Sequence, residues 1–402
     1  MRDFDDIYAV VKDLPIVDWH NHLDLKMLAD DAPLGSLYEV WVKADPYKHR
    51  AMRICGEAER VITGDAPEAE KWSAWMRTLP KLVGNPLFVW SKMEMEWLFG
   101  DGALRKNWWR DIGNVSLSEW TPSKMLSRFN VECMCPCVGA RDPIPEMPPF
   151  VKPSLRMNAG DEVSLDDLDR FEAAGCKVVD ISVDDVSQLT THNSQLVTVA
   201  SFAAAHGWTM LLHLGALRST SGRLRAAAGP AGGYAAMRAP IDPAAVASFL
   251  DVLERTPNMF SRKEDSTRST RSARLNTSLP RTILLSLNPE AHAQLAVLSG
   301  SFVGEGMPGK VQLGPAWWWC DHEEGIVDVL EKNAAYGVLS AFAGMTTDSR
   351  SLLSFVRHDY FRRLLCRWIA GKIESGSFPD DEELIVPMLT NICFSNAERI
   401  VK

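Results

Sequence analysis

Pro15-Ile16-Val17-Asp18-Trp19-His20-Asn21-His22-Leu23 is the stretch on which the reading of this chain turns. Ile16 and Val17 form a short apolar run suited to a buried strand, and the run leads into two histidines one residue apart. Side chains alternate faces along an extended strand, so His20 and His22 point the same way. Two imidazoles at a strand end can grip one divalent metal, because first-row metals favour nitrogen donors. The plainer alternative is two unrelated histidines at the start of a loop.

Beyond this strand the pattern turns helical. Residues 34–60 mix apolar anchors (Leu37, Val40, Trp41, Met52) with Tyr47, His49 and Arg53. Residues 65–79 place Trp72, Trp75 and Met76 on one stripe, and the Asp65-to-Glu68 spacing predicts a capping box. Residues 87–98 repeat the helical pattern. The next strand is expected at 131–138, where Cys133, Cys135 and Cys137 alternate. Thiolates are good zinc ligands, but a strand sets them in a row that surrounds an ion badly. Small core residues are therefore the expectation. Further strands are expected at 150–155, 176–182, 209–214, 282–287, 311–319 and 338–345. Helices are expected between most of them, with a mobile polar surface loop at 257–279 and long helices at 352–373 and 381–401.

Eight strands alternating with helices predict a (β/α)8 barrel of the α/β class, with a helical insertion after the first strand. Residues 1–34 then hold the first strand and N-terminal segment, 35–128 the helical insertion, and 129–402 the rest of the barrel with its C-terminal helices. The active site of such a barrel lies at the carboxyl ends of the strands, and polar groups gather there. His20 and His22 end the first strand, Arg156 follows the third, His213 ends the fifth, Trp318 and Asp321 follow the seventh, and Asp348 and Arg350 follow the eighth. The first and eighth strands of a closed ring are neighbours, so Asp348 can join the histidines as a third ligand. Asp348 also reads as a helix N-cap, and His213 as a buried histidine bonded to a carbonyl. Arg156 and Arg350 suit a carboxylate clamp, with a structural ion pair as the alternative. Tryptophans 317–319 suit either core or pocket wall. The run 357–363 (Arg-His-Asp-Tyr-Phe-Arg-Arg) reads as a solvated or ion-paired helix face.

Composition narrows the function classes. The 402 residues are 46% apolar and carry a formal net charge of −9, which disfavours general nucleic-acid binding. An anionic substrate therefore calls for a locally positive pocket. No apolar run reaches the length of a membrane-spanning helix, and the acidic N-terminus lacks the apolar core of a signal peptide. Eight cysteines in a chain this long do not make a disulfide scaffold, so reduced thiols in the cytoplasm are expected.

Longer motifs then carry a resemblance. They are DWHNHL at 18–23, YKHRAMR at 47–53, ERVITGDA at 59–66, GNPL at 84–87, HLGALR at 213–218 and SLNP at 286–289. GEGMPGKVQLG at 304–314, GMTTDSRS at 344–351 and RHDYFRRLLC at 357–366 are the most specific. Over nearly its whole length the chain resembles the uronate isomerases (glucuronate or galacturonate isomerases), a branch of the amidohydrolase superfamily.

The resemblance implies metal-assisted aldose–ketose isomerisation of a hexuronate, of the D-glucuronate to D-fructuronate or D-galacturonate to D-tagaturonate type. It implies His20, His22 and Asp348 as ligands of a divalent metal, expected to be zinc. Tyr47 matches a tyrosine implicated in proton transfer and joins Asp348 and Arg350 in the catalytic set. Arg156 and Arg350 match arginines that hold the substrate, and His49, His213 and Trp318 are expected at the substrate pocket. A tyrosine is a poor base at neutral pH unless cations lower its pKa, and Arg156 is the expected neighbour. The implied partner is a small acid sugar, with no nucleic acid and no membrane, and a homo-oligomer is allowed.

The chain departs from the family pattern in places. Material is missing between Asp142 and Cys176, and Arg141, Pro46, His49, Ile181 and Ser219-Thr220-Ser221 replace usual residues. Two rivals stay open. One is a metal-dependent hydrolase of a lactone, ester or amide of an acid sugar; the other is a catalytically weak paralogue that binds acid sugars.

Overall fold

The computed structural model describes residues 3–100, 102–191, 193–239, 241–260 and 277–402. Residues 261–276 of the expected surface loop lie outside the described residues. Seven parallel strands form one curled sheet in chain order: β1 (Ile16–Asn21), β2 (Val131–Gly139), β3 (Ser154–Asn158), β4 (Val178–Val183), β5 (Thr209–Leu214), β6 (Arg281–Ser286) and β7 (Val311–Leu313). The register runs without a break from Val178↔Thr209 to Val183↔Leu214, and from Thr209↔Arg281 to Leu214↔Ser286. These central strands are buried on both faces, which is why β4 and β5 read as almost unbroken apolar runs. Among the described residues, no helix is long and apolar enough to cross a membrane.

Between β1 and β2 the described residues form helices joined by turns, among them Pro46–Ile54, Glu68–Thr78 and Pro86–Phe99. Asp45 starts the first of these by accepting from the backbone N–H groups of Tyr47 and Lys48. That cap, with Pro46 in the first turn, fixes where Tyr47 points. The capping box expected at Asp65 and Glu68 is not formed. Pro67 occupies the cap of Glu68–Thr78, and it has no side-chain oxygen to offer.

The ring closes differently from the expectation. Residues 338–345 were expected as the eighth strand, yet they form a 3-10 turn at Leu339–Ala341 followed by irregular extended chain. The backbone still runs beside β1: Asp348 N–H donates to the His20 carbonyl at 3.1 Å and His22 N–H to the Ser349 carbonyl at 2.8 Å. Side chains replace the missing ladder. The fully buried Asp18 carboxylate accepts from Thr346 Oγ1 (2.9 Å), Thr347 N–H (2.7 Å) and Thr347 Oγ1 (2.8 Å). Gly344, at φ 74°, lies so close to Ile392 that a Cβ would stand 2.0 Å from that carbonyl oxygen. A regular strand with side chains does not fit there. On the other side, Ala343 N–H donates to Oε1 of Gln312 in β7, at 2.8 Å.

Alternation along the strands sorts the ring interior into layers. Val17, Cys133, Cys135, Val178, Leu211, Ile283 and Leu285 form one apolar cluster, closed by Ala397, Ile400 and Val401 of the C-terminal helix. One or two steps further along the same strand faces, the side chains turn polar: Cys137, Arg156, Asp180, Ser182 and His213. Ile181 has the opposite parity and is packed in the layer between sheet and helices. The polar layer lies at the carboxyl ends, where the barrel rule places a site.

Candidate active site

Asp348 is the point on which the metal-binding candidates converge. Its Oδ1 lies 3.0 Å from His20 Nε2 and 3.0 Å from His22 Nε2. Two imidazoles and a carboxylate are donor types that a first-row divalent metal takes, and His20 and His22 also group with Cys137, their ligand atoms all within 4.8 Å of one another. Burial opposes the charge on Asp348, but hydrogen bonds from His20 and His22 hold its carboxyl well below the usual carboxylate range. Asp348 has φ 48°, in the left-handed region that a non-glycine residue adopts at a cost of order 1–3 kcal/mol. The hydrogen bonds of Asp18 to Thr346 and Thr347 hold the chain in that shape.

Behind His20 lies a second group that the sequence did not single out. Asp180 on β4 accepts from His213 Nδ1 at 2.5 Å and from the Cys137 thiol at 3.2 Å, and it pairs with Arg156. Burial would raise its pKa, but Arg156, His213 and His20 hold it well below the usual range. Cys137 Sγ lies 3.3 Å from His20 Nδ1. Cys133 and Cys135 are core residues as expected, whereas Cys137, at the carboxyl end of the same row, belongs to the site. Only the position of Cys137 along its strand separates it from the other two, and that signal was present in the sequence.

Arg156 is engaged with Asp180 and Ser182 Oγ. Ser182 Oγ also accepts from Arg218 Nη2 at 2.6 Å, and Arg218 Nε donates to Asp184 at 3.0 Å. His213 is fully buried, and with Nδ1–H given to Asp180 its Nε2 is left without a partner among the described residues. Burial pushes its pKa down to about 4. Its ring lies 4.7 Å from that of His20 and 4.3 Å from Trp317. Trp318, also at positive φ (49°), stacks on Trp319 at 4.9 Å and has the Arg218 guanidinium 5.6 Å from its ring. Arg350 is exposed and makes no side-chain hydrogen bond or ion pair among the described residues. His49 is buried, and its charged neighbours are Asp45, Arg53, Glu59 and Lys48 rather than the Asp348 cluster.

Tyr47 brings the inserted helices to the site, with a different cation from the one expected. Its hydroxyl donates to Asp321 Oδ2 at 2.9 Å, and Arg357 Nη1 donates to the same oxygen at 3.1 Å. Burial and the Asp321 carboxylate raise the Tyr47 pKa well above its ordinary value, against the pull of Arg357. Arg156 is committed to Asp180 and does not lower it. Nor is residue 357 on a solvated face. Arg357, His358 and Arg362 are buried, and only Asp359 and Arg363 pair towards solvent.

The profile of the glucuronate isomerase family matches residues 3–148 and 161–401. The chain belongs to this family. The uronate isomerases of Caldicellulosiruptor bescii and Bacillus licheniformis are each 32% identical to it, covering 96% and 97% of this chain and 94% and 93% of their own. Among solved structures, that of uronate isomerase from Thermotoga maritima is similar with a TM-score of 0.80 at 22% identity, covering 99% of this chain and 97% of that one. That of glucuronate isomerase from Caulobacter crescentus gives 0.79 at 20% identity, covering 98% and 93%. Both share the barrel fold. Residues 149–160, which the family profile leaves unmatched, lead from β2 into β3 and fall in the stretch where the chain is short.

Proposed function

We propose that this glucuronate isomerase family member interconverts a hexuronate aldose and its ketose, of the glucuronate–fructuronate or galacturonate–tagaturonate type. The observation that carries the reading is the convergence of His20, His22 and Asp348 at the carboxyl end of the ring, within a chain that matches the family over nearly all its length. These three residues would hold a divalent metal, which we take to be zinc, and it would supply positive charge to the substrate oxygens that gain negative charge in the reaction. Arg350, exposed and without a hydrogen-bonded or ion-paired partner among the described residues, takes the sugar carboxylate in a paired hydrogen bond. Arg156 and Arg218, joined through Ser182 and paired with Asp180 and Asp184, are the further N–H donors for the oxygens of the sugar. Tyr47 moves a proton between C2 and C1, His213 offers its free Nε2 to a substrate hydroxyl, and Trp318 lines the sugar. All eight cysteines are free thiols, which suits a reducing compartment, and we assign the reaction to the cytoplasm.

The test is incubation with glucuronate and galacturonate, with and without a chelator. Ketose from at least one of them, abolished by the chelator and restored by metal, is the expected result. Cleavage of an acid-sugar lactone or amide without any ketose would replace this reading with a hydrolase.

A further inference from the structure

Three elements distant in sequence meet behind the Tyr47 hydroxyl. Tyr47 comes from the helix Pro46–Ile54, Asp321 follows the 3-10 turn Trp318–Cys320, and Arg357 lies on the helix Val356–Glu374. All three side chains are buried, Arg357 to 1% exposure and Asp321 to 4%. Arg357 also donates to the Thr347 carbonyl at 3.2 Å, and its guanidinium lies 4.8 Å from the Tyr47 ring and 4.0 Å from that of Trp90. Trp319 covers Tyr47 edge-on at 5.0 Å. The phenol is thus held in one pose, with its hydrogen directed at a carboxylate.

That arrangement solves a chemical difficulty. A neutral phenol can take a proton from carbon only if it gives up its own. Its pKa here is raised, so loss to bulk water is disfavoured. We propose that Asp321 is the positioning residue and proton store behind Tyr47, receiving the phenolic proton when Tyr47 takes one from the sugar and returning it when Tyr47 gives one back. In the first step the C2–H bond breaks, and its electron pair forms the C1–C2 double bond while the carbonyl pair moves onto O1. The sugar proton forms a new bond to the Tyr47 oxygen as the former hydroxyl proton passes to Asp321 Oδ2. In the second step Tyr47 delivers the sugar's own proton to C1, Asp321 returns the other, and the O2 proton moves to O1. No proton is gained or lost overall. Burial pushes Asp321 up to about 7, against Arg357 and reinforced by Asp348, so it can hold and release a proton at neutral pH. The proposal rests on the hexuronate isomerase reading.

Wild-type protein loaded with metal is given hexuronate deuterated at C2, in ordinary water, and the ketose is analysed by NMR. Deuterium retained at C1 in most of the product supports the closed return path, and complete washout overturns it. Asp321→Asn should lower kcat at least about 100-fold, with KM within about threefold and metal content unchanged. Added to Tyr47→Phe, it should cost less than about threefold more, because it acts through the tyrosine. A kcat close to wild type, or full additivity in the double variant, overturns the proposal. An active wild type with an indifferent Asp321→Asn removes this inference alone. A wild type that makes no ketose from either uronate removes the isomerase reading and this inference together.

Discussion

Arg350 stands exposed two residues from the half-buried Asp348 and makes no side-chain hydrogen bond or ion pair among the described residues, which separates its proposed binding role from a structural one. Arg350→Met should therefore leave thermal stability unchanged while kcat/KM falls by two to three orders of magnitude, about 3–4 kcal/mol for a lost charged clamp. Steady-state kinetics beside a melting curve checks this, and unchanged kinetics would remove the role. His20 is the opposite case, buried and shared between Asp348 and the Asp180 group. His20→Ala should purify with little metal, read by elemental analysis, and full occupancy would remove the proposed site. At this scale the meeting of His20, His22 and Asp348 was legible because the two histidines end the first strand and the chain around Asp348 runs beside it, although as irregular backbone and not as a strand. Asp180 was not, because a lone aspartate inside the apolar run Val178–Val183 announces nothing until Arg156, His213 and Cys137 are seen around it.

At the scale of elements, the informative piece is the irregular segment in the eighth position. The sequence placed it correctly beside β1 but made it a strand, because Ala343, Gly344 and Met345 form an apolar run like those of true strands. What the pattern cannot convey is that Gly344 packs against the Ile392 carbonyl and that Asp18 supplies the hydrogen bonds. Asp18→Ala leaves the donors of Asn21, Thr347 and His358 without their Asp18 acceptor and should cost about 3–5 kcal/mol in urea unfolding. Burial alone would raise the Asp18 pKa, but the hydrogen bond from His358 and the donors of Thr347 hold it below its ordinary value. Its stabilising share is thus complete above about pH 4 and is lost as the pH falls through its folded value. The stability gap between wild type and Asp18→Ala should narrow on acidification; a gap independent of pH would show that the charge is irrelevant.

For the whole molecule, the alternation of strands and helices was enough to give the barrel, since each strand needs only its neighbours to be recognised. The contacts that finish the site are a different matter. Tyr47 and Asp321 are 274 positions apart, and Asp18 and Thr347 are 329 apart, with no local pattern linking either pair. A ligand that binds only the folded ring stabilises it by mass action, about 2.7 kcal/mol at a hundredfold excess over Kd. Removing metal with a chelator should therefore lower the melting temperature of the wild type and leave that of His20→Ala unmoved. Equal shifts in both would place the bound metal elsewhere.

Because His20 and Asp348 enter from opposite ends of the chain, their meeting has a consequence for biosynthesis. A ribosome must release residue 348 and the helices that follow before the three-donor set exists at all. A fragment that stops short of residue 348 carries the two imidazoles without the aspartate that lies 3.0 Å from both. On the proposed ligand set, a copy cut short of Asp348 should hold the ion more weakly than the finished chain.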